Sequence, residues 1–387
     1  MSKKDELYKE LEYKIRIEQE GINVLAKDFE NLALGTEYLE KVHIDPEKLT
    51  SFKTGTLLPA CIYTPHGLSF GFDWNGKSPF TIKEEDGVFY LKERGVNIFP
   101  LSFKKRPKFY SETTSDGVPM RWIANYTSNN TVRVTYSNQC CLQDKGLDCK
   151  FCHGDPARNH NGTSDQMKNP RQIGETYKRA IDLDGAVHFQ LTGGFIPERR
   201  EVEYYLDIAE ALRDATDLEN FHANACVGSP LDFTVFDKYK EVGFETIASN
   251  LEIWDEGIFK AICPGKEQEC GGYKHWVEGL VYAAKVFGHG NVGSNFVAGL
   301  EPKDSLLEGV SYLSENGVVP SAGVLRPIPG SGLWGHRGPT VDWHINLGYE
   351  MYKIYEQNHF TWDNLWHVTP SDSGLAQDVY RIEKGLL

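Results

Sequence analysis

Beyond residue 130 the sequence alternates six times between a short apolar run and a segment with helical periodicity. Each run is rich in β-branched or aromatic residues, and the segment after it is long enough to return the chain to the same edge of a sheet. This alternation is typical of parallel strands covered by helices. The runs are TVRVTYS (131–137), AVHFQLTGG (186–194), NFHANACVG (220–228), FETIASNLEIW (244–254), NVGSNFVAGLEP (291–302) and VVPSAGVLRPIPG (318–330).

The pattern predicts an α/β fold built on a partial or complete parallel (β/α) barrel. Helices are predicted over 170–182, around 341–357 and between the second and third strands. In such barrels, catalytic groups collect at the C-terminal ends of the strands. We therefore expect the functional residues of this chain at those strand ends.

Two other patterns precede the predicted barrel. Residues 4–45 are predicted to be helical, because Leu7, Leu11 and Ile15 recur at helical spacing and a second apolar series follows them. Residues 56–127 alternate between apolar and polar side chains around Asn-Gly and Asp-Gly pairs, which indicates antiparallel hairpins. The predicted organisation is a helical segment (1–55), a small antiparallel β unit (56–127), the barrel (128–345) and a C-terminal helix and tail (346–387).

Composition narrows the classes of function and compartment. The net charge of -14 argues against a protein that coats nucleic acid, since that role needs clustered basic residues. No apolar run is long enough to span a membrane, and the charged start MSKKDELYKE lacks the apolar centre of a signal peptide. We therefore expect a cytoplasmic protein with neither a nucleic-acid nor a membrane partner. Its cysteines would then be kept for metal binding or catalysis rather than for disulfides.

The stretch SNQCCLQDKGLDCKFCHG (137–154) holds four of the eight cysteines directly after the first predicted strand. Zinc, disulfides, a redox pair and an iron–sulfur cluster all use closely spaced thiols. A structural zinc site usually has four ligands in two pairs. Here Cys149 and Cys152 form one pair, whereas Cys140 and Cys141 are adjacent and poorly placed to bind one ion together. Three usable thiolates would leave one coordination position open.

With these cysteines at the end of a first barrel strand, the sequence resembles the radical S-adenosylmethionine (radical SAM) enzymes. Their cluster loop ends C-x-aromatic-C, as in CKFC with Phe151 between the last two ligands. The usual first gap is three residues, whereas here eight residues follow Cys140, or seven follow Cys141. Cys140 is the preferred first ligand, because CCL then reads like the family's C-x-L, and Cys141 is the alternative.

Further matches place cofactor-binding residues after other strands. The LTGG segment, with Thr192, Gly193 and Gly194, resembles the glycine motif that contacts the methionine amino group of S-adenosylmethionine. The acidic residue that usually follows the glycines is Phe195 here. The remaining matches are to biotin synthase, lipoyl synthase and the hydrogenase maturases: Asn250 and Glu252 in SNLE for the ribose, Gly299 in VAGLEP for the adenine, and RPIPGSGL (326–333) for the stretch that closes the barrel.

The resemblance implies a 4Fe–4S cluster held by Cys140, Cys149 and Cys152, with S-adenosylmethionine on the open iron. One-electron reduction would cleave that cofactor to a 5′-deoxyadenosyl radical, which abstracts hydrogen from an organic substrate. We expect an oxygen-sensitive enzyme in the biosynthesis of a cofactor or modified amino acid, reduced by a flavodoxin or ferredoxin. Arg326 could clamp an anionic group of cofactor or substrate, or merely pair with a carboxylate.

Three other readings stay open. One is a radical SAM C-methyltransferase, which could depend on cobalamin and could act on a peptide or protein, although no cobalamin motif is visible. The others are a non-catalytic iron–sulfur or zinc protein and an aldolase-like barrel with a structural zinc loop. Biotin synthase holds an auxiliary cluster on three neighbouring strands, and the matching positions here are Gln190, Cys226 and Gly293, of which one is a cysteine. Such a cluster is therefore not expected.

The remaining cysteines and histidines give weaker indications. Cys226 is expected to be a small buried residue, with donation of hydrogen to a radical as the alternative. Six residues lie between Cys263 and Cys270 in CPGKEQEC, which makes a poor metal pair. His188 and His222 lie on predicted strands, so they are the histidines with a hypothetical role in substrate binding or proton transfer.

Overall fold

The N-terminal helix of the computed structural model is much shorter than predicted. The structure describes residues 2–43, 56–137, 139–152, 167–326, 330–369 and 374–387. Helix α1 (Lys3–Glu20) begins at a capping box between Ser2 and Asp5 and ends at Gly21, whose φ is 67°. The prediction of helix was wrong from residue 21 to residue 43, and residues 44–45 lie outside the described residues.

The second apolar series departs from helix because its side chains fill a different core. The chain continues from α1 into a short 3-10 helix (Ala26–Phe29) and strand β1 (Glu40–His43). Ile22 forms a bridge with Trp74, and Ile22, Val24 and Phe29 are buried against the antiparallel strands that follow. Burial against a sheet has overridden the helical spacing.

The antiparallel hairpins predicted for residues 56–127 are present. Strands β3, β4, β5, β6 and β7 form a five-stranded sheet in the order β4-β3-β7-β6-β5, and β2 pairs with β1. The β5–β6 hairpin turns at Asp86 and Gly87, both with positive φ, as the Asp-Gly pair predicted. The bounds are β2 Thr56–Pro59, β3 Ile62–Tyr63, β4 Ser69–Phe70, β5 Phe80–Glu85, β6 Val88–Glu93 and β7 Val96–Phe103.

A seven-stranded sheet confirms the predicted α/β class. Its order is β14-β13-β12-β11-β10-β9-β8; the last six strands of the chain run parallel, and β8 pairs antiparallel with β9. Each of the six predicted runs contains one of the parallel strands. The first and last strands in this order do not pair, so the sheet is open. The bounds are β8 Asn125–Tyr126, β9 Thr131–Thr135, β10 His188–Thr192, β11 Ala223–Cys226, β12 Thr246–Ala248, β13 Val292–Ala298 and β14 Val318–Val324.

Helices connect these parallel strands, as the alternation predicted. The connecting helices are α2 Cys141–Asp144, α3 Pro170–Asp184, α4 Glu198–Thr216, α5 Val235–Glu241, α6 Glu256–Ile262, α7 Pro264–Glu269, α8 Gly272–Phe287 and α9 Lys303–Glu315. The chain closes with α10 Val341–Gln357, α11 Trp362–Val368 and α12 Leu375–Glu383. Within the described residues, no helix is both long and apolar enough to cross a membrane.

Helix α1 packs into both hydrophobic clusters of the molecule. Leu7, Leu11 and Ile15 belong to the cluster around the parallel sheet. Ile17 belongs to the cluster of the antiparallel sheet. The helix therefore contributes to the cores of both sheets, whereas the division into domains stays a prediction.

Buried ion pairs fix α1 against the C-terminal part of the chain. Lys14 lies 2.6 Å from Asp378 of α12, and both side chains are at least nine-tenths buried. Glu18, also buried, pairs with Arg326 just beyond β14 at 3.0 Å. Charges so far from water require partners, since an uncompensated buried charge is strongly destabilising. These pairs therefore set where α1 lies on the last strand and helix.

The Lys14–Asp378 pair predicts a measurable loss of stability when one charge is removed. Asp378→Asn removes one buried carboxylate that neutralises the Lys14 ammonium, so the free energy of unfolding should fall by about 3 kcal/mol in urea denaturation. Asp207→Asn, at an exposed position of α4, should change it by less than about 0.5 kcal/mol. Equal losses in the two variants would show that the buried pair does not anchor α1.

Candidate active site

A cavity of about 380 Å³ lies at the C-terminal ends of β9, β10, β11 and β12. This is the edge of a parallel α/β sheet at which ligands and catalytic groups collect. Of the residues predicted to bind the cluster or S-adenosylmethionine, nine line the cavity: Cys140, Cys149, Phe151, Cys152, Thr192, Gly193, Gly194, Asn250 and Glu252. Segments far apart in the sequence therefore meet in one cavity.

Cys141, Gly299 and Arg326 are not among the residues that line this cavity. Gly299 has a φ of 113°, and a Cβ there would come within 2.6 Å of Pro339, so the position serves close packing. Arg326 pairs with the buried Glu18, which matches the simpler of its two sequence interpretations. Residues 327–329 of the barrel-closing stretch lie outside the described residues.

Cys140 and Cys141 occupy different positions despite being adjacent. Cys140 precedes α2 and lines the cavity. Cys141 opens α2, and its backbone N–H donates to the carbonyl of Phe195 at 2.8 Å. Burial raises the pKa of the Cys141 thiol. This geometry favours Cys140 as the first of the three predicted cluster ligands.

The two glycines after β10 have a packing role that the sequence did not reveal. The N–H of Gly194 donates to the carbonyl of Ser137 at 2.9 Å. A Cβ on Gly194 would lie 2.1 Å from the carbonyl oxygen of Gln139, and one on Gly193 would lie 2.4 Å from the ring of Tyr136. Only glycine allows this close approach. The glycine segment, residues 193–195, therefore docks directly on the start of the cysteine loop, residues 140–152.

The far end of the cysteine loop is held by the segment between α6 and α7. Lys150 N–H donates to the carbonyl of Ile262 at 2.8 Å, and Gly265 N–H donates to that of Leu147 at 3.0 Å. Cys263 is fully buried beside Cys149, and its hydrogen bond lowers the pKa of the Cys149 thiol. Cys263 thus belongs to the surroundings of a predicted ligand.

Two of the remaining cysteines also converge on the cavity. Cys226, at the end of β11, and Cys270, after α7, both line it. Burial raises the pKa of each thiol, to about 11 and about 12. Within the described ranges, no group of three or more His, Cys, Asp or Glu residues is arranged to bind a single metal ion.

Asn250 and Glu252 lie beyond the end of β12 and face the cavity. The carboxamide oxygen of Asn250 accepts from the N–H of Asn295 at 3.1 Å, and its amide nitrogen lies 3.9 Å from the sulfur of Cys226. Glu252 has a φ of 75°, which is rare for a residue with a side chain. Its own N–H donates to the carbonyl of Asn295 at 2.9 Å. The backbone of Asn295 on β13 thus holds the side chain of Asn250 and the backbone of Glu252.

Lys266 is a site residue that sequence reasoning missed, although it ends the segment SNLEIWDEGIFKAICPGK (249–266), which begins with the SNLE match. Its ammonium is buried and donates to the carbonyl of Asn250 at 2.6 Å and to Oε1 of Glu252 at 3.2 Å. It also lies 4.4 Å from the ring centre of Trp276. Burial opposes the charge, but Glu252 and the sulfurs of Cys149 and Cys263 together outweigh it, so the pKa of Lys266 is raised.

Glu201 on α4 is the second residue that was missed. Its side chain is 6% exposed, lines the cavity and accepts from the N–H of Gly228 at 3.3 Å. Burial raises the pKa of its carboxyl group to about 8, so a proton is retained near neutral pH. Helical spacing in the sequence could have indicated this residue, because Glu201 falls on the same, buried face of α4 as Tyr204, Tyr205 and Ile208.

The two candidate histidines lie at the opposite end of the strands from the cavity. His188 is the first residue of β10, fully buried, with its ring stacked 5.5 Å from that of His367. Burial lowers its pKa to about 3. His222 immediately precedes β11 and pairs with Glu245 at 3.0 Å. The hypothesis that they contact substrate was wrong for this cavity, because they occupy the start of their strands rather than the end.

A sequence relative has the same chemistry as the predicted family. The chain is 28% identical over 257 residues to bacteriochlorophyllide c C-7(1)-hydroxylase of Chlorobaculum limnaeum, a radical SAM protein. The chain is thus similar in sequence to one radical SAM protein. The alignment covers 62% of this chain and 63% of the hydroxylase, so the chain spans less than two thirds of that relative. No protein-family model matches the chain.

Two solved structures are distantly similar to this one, with TM-scores below 0.5. The FeFe-hydrogenase maturase HydG of Carboxydothermus hydrogenoformans has a TM-score of 0.43 and 16% identity, covering 62% of this chain and 51% of HydG. Methylornithine synthase (PylB) has a TM-score of 0.45 and 16% identity, covering 63% of this chain and 71% of that enzyme.

The residues of the cavity fit the cofactors of radical SAM enzymes. Cys140, Cys149 and Cys152 supply three thiols, the ligand type that binds iron–sulfur clusters. Gly193 and Gly194 present backbone where any side chain would collide, and the rest of the cavity is free for a second ligand. The arrangement therefore suits a cluster at the cysteine loop with an organic cofactor beside it.

The buried carboxyl group of Glu201 predicts a pH-dependent stability. Its folded pKa of about 8 lies above the ordinary 4.5, so its favourable contribution is complete below pH 4.5 and is lost as pH rises toward 8. Glu201→Gln removes this loss. Relative to the wild type, the variant should gain on the order of 2–4 kcal/mol in unfolding free energy between about pH 5 and about pH 8.5.

Denaturant titrations across that pH range measure this effect. Glu203→Gln, at an exposed position of the same helix, is the matched control and should follow the wild-type curve. A Glu201→Gln curve parallel to that of the wild type at every pH would show that this carboxyl group titrates normally.

Proposed function

We propose that this chain is a radical SAM enzyme that cleaves S-adenosylmethionine reductively and abstracts hydrogen from an organic substrate. One observation carries the proposal. Cys140, Cys149 and Cys152 line a single cavity with Gly193 and Gly194, at the C-terminal ends of neighbouring parallel strands. Similarity to a bacteriochlorophyllide hydroxylase supports the same reaction class.

When bound, the 4Fe–4S cluster supplies one electron to S-adenosylmethionine and so generates a 5′-deoxyadenosyl radical. In the proposed site, Cys140, Cys149 and Cys152 hold the cluster and leave one iron open. The glycine segment presents its backbone to the methionine end of the cofactor. Asn250 and Glu252 hold the ribose from the opposite wall of the cavity.

Apolar groups contribute to the lining of the cavity. The aromatic rings of Tyr136, Phe195 and Trp276 line it, and burial keeps Glu201 protonated. An apolar lining limits the side reactions of a radical with water. A flavodoxin or ferredoxin is proposed as the electron donor, in a reducing cytoplasm.

For the substrate, the relative favours a molecule with an unactivated C–H bond. Its name describes hydroxylation at carbon 7(1) of a bacteriochlorophyllide, and a chlorin is accordingly the first compound to test here. A small metabolite on the route to a cofactor or modified amino acid is the second. Methyl transfer remains an alternative, and its dependence on cobalamin has no support in the sequence.

The first experiment is anaerobic reconstitution with iron and sulfide, followed by dithionite and S-adenosylmethionine. The proposal predicts about four irons per chain, a reduced-cluster electron paramagnetic resonance signal and release of 5′-deoxyadenosine. A non-catalytic iron–sulfur carrier would bind iron without releasing deoxyadenosine. A colourless protein that binds zinc would instead support a zinc-stabilised scaffold.

Serine substitutions distinguish the two adjacent cysteines. Cys140→Ser removes a thiol that faces the cavity and should reduce both iron content and deoxyadenosine formation to background. Cys141→Ser alters a residue whose backbone is bound to Phe195 and should retain most of both. The reverse result would assign the first ligand to Cys141.

Gly194 tests whether the glycine segment shapes the cluster loop. In Gly194→Ala the added methyl group overlaps the carbonyl of Gln139, so iron uptake should fall by at least about half through displacement of the loop. Gly323→Ala, in β14, meets its nearest atom at 3.8 Å and should bind iron like the wild type. Normal iron uptake by Gly194→Ala would show that the loop tolerates the displacement.

A further inference from the structure

Among the described residues that line the cavity, Lys266 is the single basic one. Its side chain is about nine-tenths buried, and a buried ammonium costs several kcal/mol unless it is paired. Its described partners are the carbonyl of Asn250, the carboxylate of Glu252 and the face of Trp276. All three belong to the wall of the cavity, so this cation is held by the site itself.

Glu252 needs such an anchor. Its φ of 75° costs about 1–2 kcal/mol for a residue with a Cβ and persists only where the surroundings fix it. The backbone is fixed on both sides, because Glu252 N–H donates to Asn295 and Val297 N–H donates to Glu252, both at 2.9 Å. The side chain is fixed by Lys266 through one oxygen, Oε1.

The second carboxylate oxygen of Glu252 has no hydrogen-bond partner among the described residues. It can therefore accept hydrogen bonds from a ligand in the cavity. A carboxylate held in one orientation binds a pair of neighbouring hydroxyl groups better than a mobile one, since no side-chain freedom is lost on binding. The ribose of a nucleoside carries such a pair.

Lys266 also connects two walls of the cavity through its own segment. The carbonyl of Ile262 accepts from the N–H of Lys150, and the N–H of Gly265 donates to the carbonyl of Leu147. Both bonds join this segment to the cysteine loop. Lys266 then extends from this segment to Asn250 and Glu252. The cysteine loop and the loop after β12 are thus held in register by residues 262–266.

We propose that Lys266 is a positioning residue that orients Glu252 to accept the 2′- and 3′-hydroxyl groups of a nucleoside cofactor. This assignment rests on the proposed function, since it takes Glu252 as the ribose acceptor of bound S-adenosylmethionine. Lys266 itself contacts the carboxylate and not the nucleoside. Its contribution is the fixed direction of the free oxygen.

The test measures nucleoside binding to the reconstituted protein, not catalysis. Dissociation constants of 5′-deoxyadenosine and its 2′,3′-dideoxy counterpart are measured by anaerobic calorimetry. The wild type should prefer the ribose diol by at least about tenfold, as expected for hydrogen bonds to a charged group. Lys266→Met should lose most of this preference while binding the dideoxy compound within about twofold of the wild type.

Three further variants make the result specific. Lys260→Met, at an exposed position of α6, should keep the wild-type preference. Glu252→Gln should lose it, and combining Glu252→Gln with Lys266→Met should cause no further loss, because both act through one carboxylate. Lys266→Arg, which keeps the charge, should restore part of the preference if Lys266→Met fails to take up iron.

Two kinds of failure are distinguishable. A wild-type protein that neither takes up iron nor releases deoxyadenosine overturns the proposed function. A wild type that does both, but shows no diol preference or keeps it in Lys266→Met, overturns only the role of Lys266. Absence of any rescue by Lys266→Arg, when Lys266→Met takes up no iron, would assign Lys266 to folding instead.

Discussion

The docking of the glycine segment onto the cysteine loop is the contact on which the site depends. Two backbone hydrogen bonds, Gly194 to Ser137 and Cys141 to Phe195, join the ends of β9 and β10. They form only because Gly194 has no side chain to meet Gln139. This contact turns Cys140 toward the cavity and directs the N–H of Cys141 away to Phe195. The backbone therefore decides which of the two adjacent cysteines faces the cavity.

The charged groups of the cavity lining are few among the described residues. The one cation there, Lys266, is paired with Glu252, and burial keeps Glu201 protonated. Asp148, in the cysteine loop itself, is the third carboxyl group of this lining. Arg326 is not part of this lining and pairs with Glu18 of α1, so it serves the packing of that helix.

Most of the fold could be predicted from the sequence because its signals are local. Each parallel strand lies within a predicted apolar run, and the Asp-Gly pair gave the turn of the β5–β6 hairpin. The helix predicted beyond Gly21 failed, since helical spacing cannot reveal that Ile22 and Val24 are buried against a distant sheet. The direction of the strands likewise explains why His188 and His222 are not in the cavity. Both lie at the start of a strand, far from a site at the strand ends.

For the site, the sequence by itself determined the kinds of ligand and the strand ends that carry them: three thiols, two glycines, Asn250 and Glu252. Tertiary structure alone decided their surroundings. Cys263 lies beside Cys149, Lys266 pairs with Glu252, and Arg326 is occupied by Glu18. The physical reason is that the partner of a buried charge or thiol is set by which distant segments pack together. No local spacing in the sequence encodes that choice.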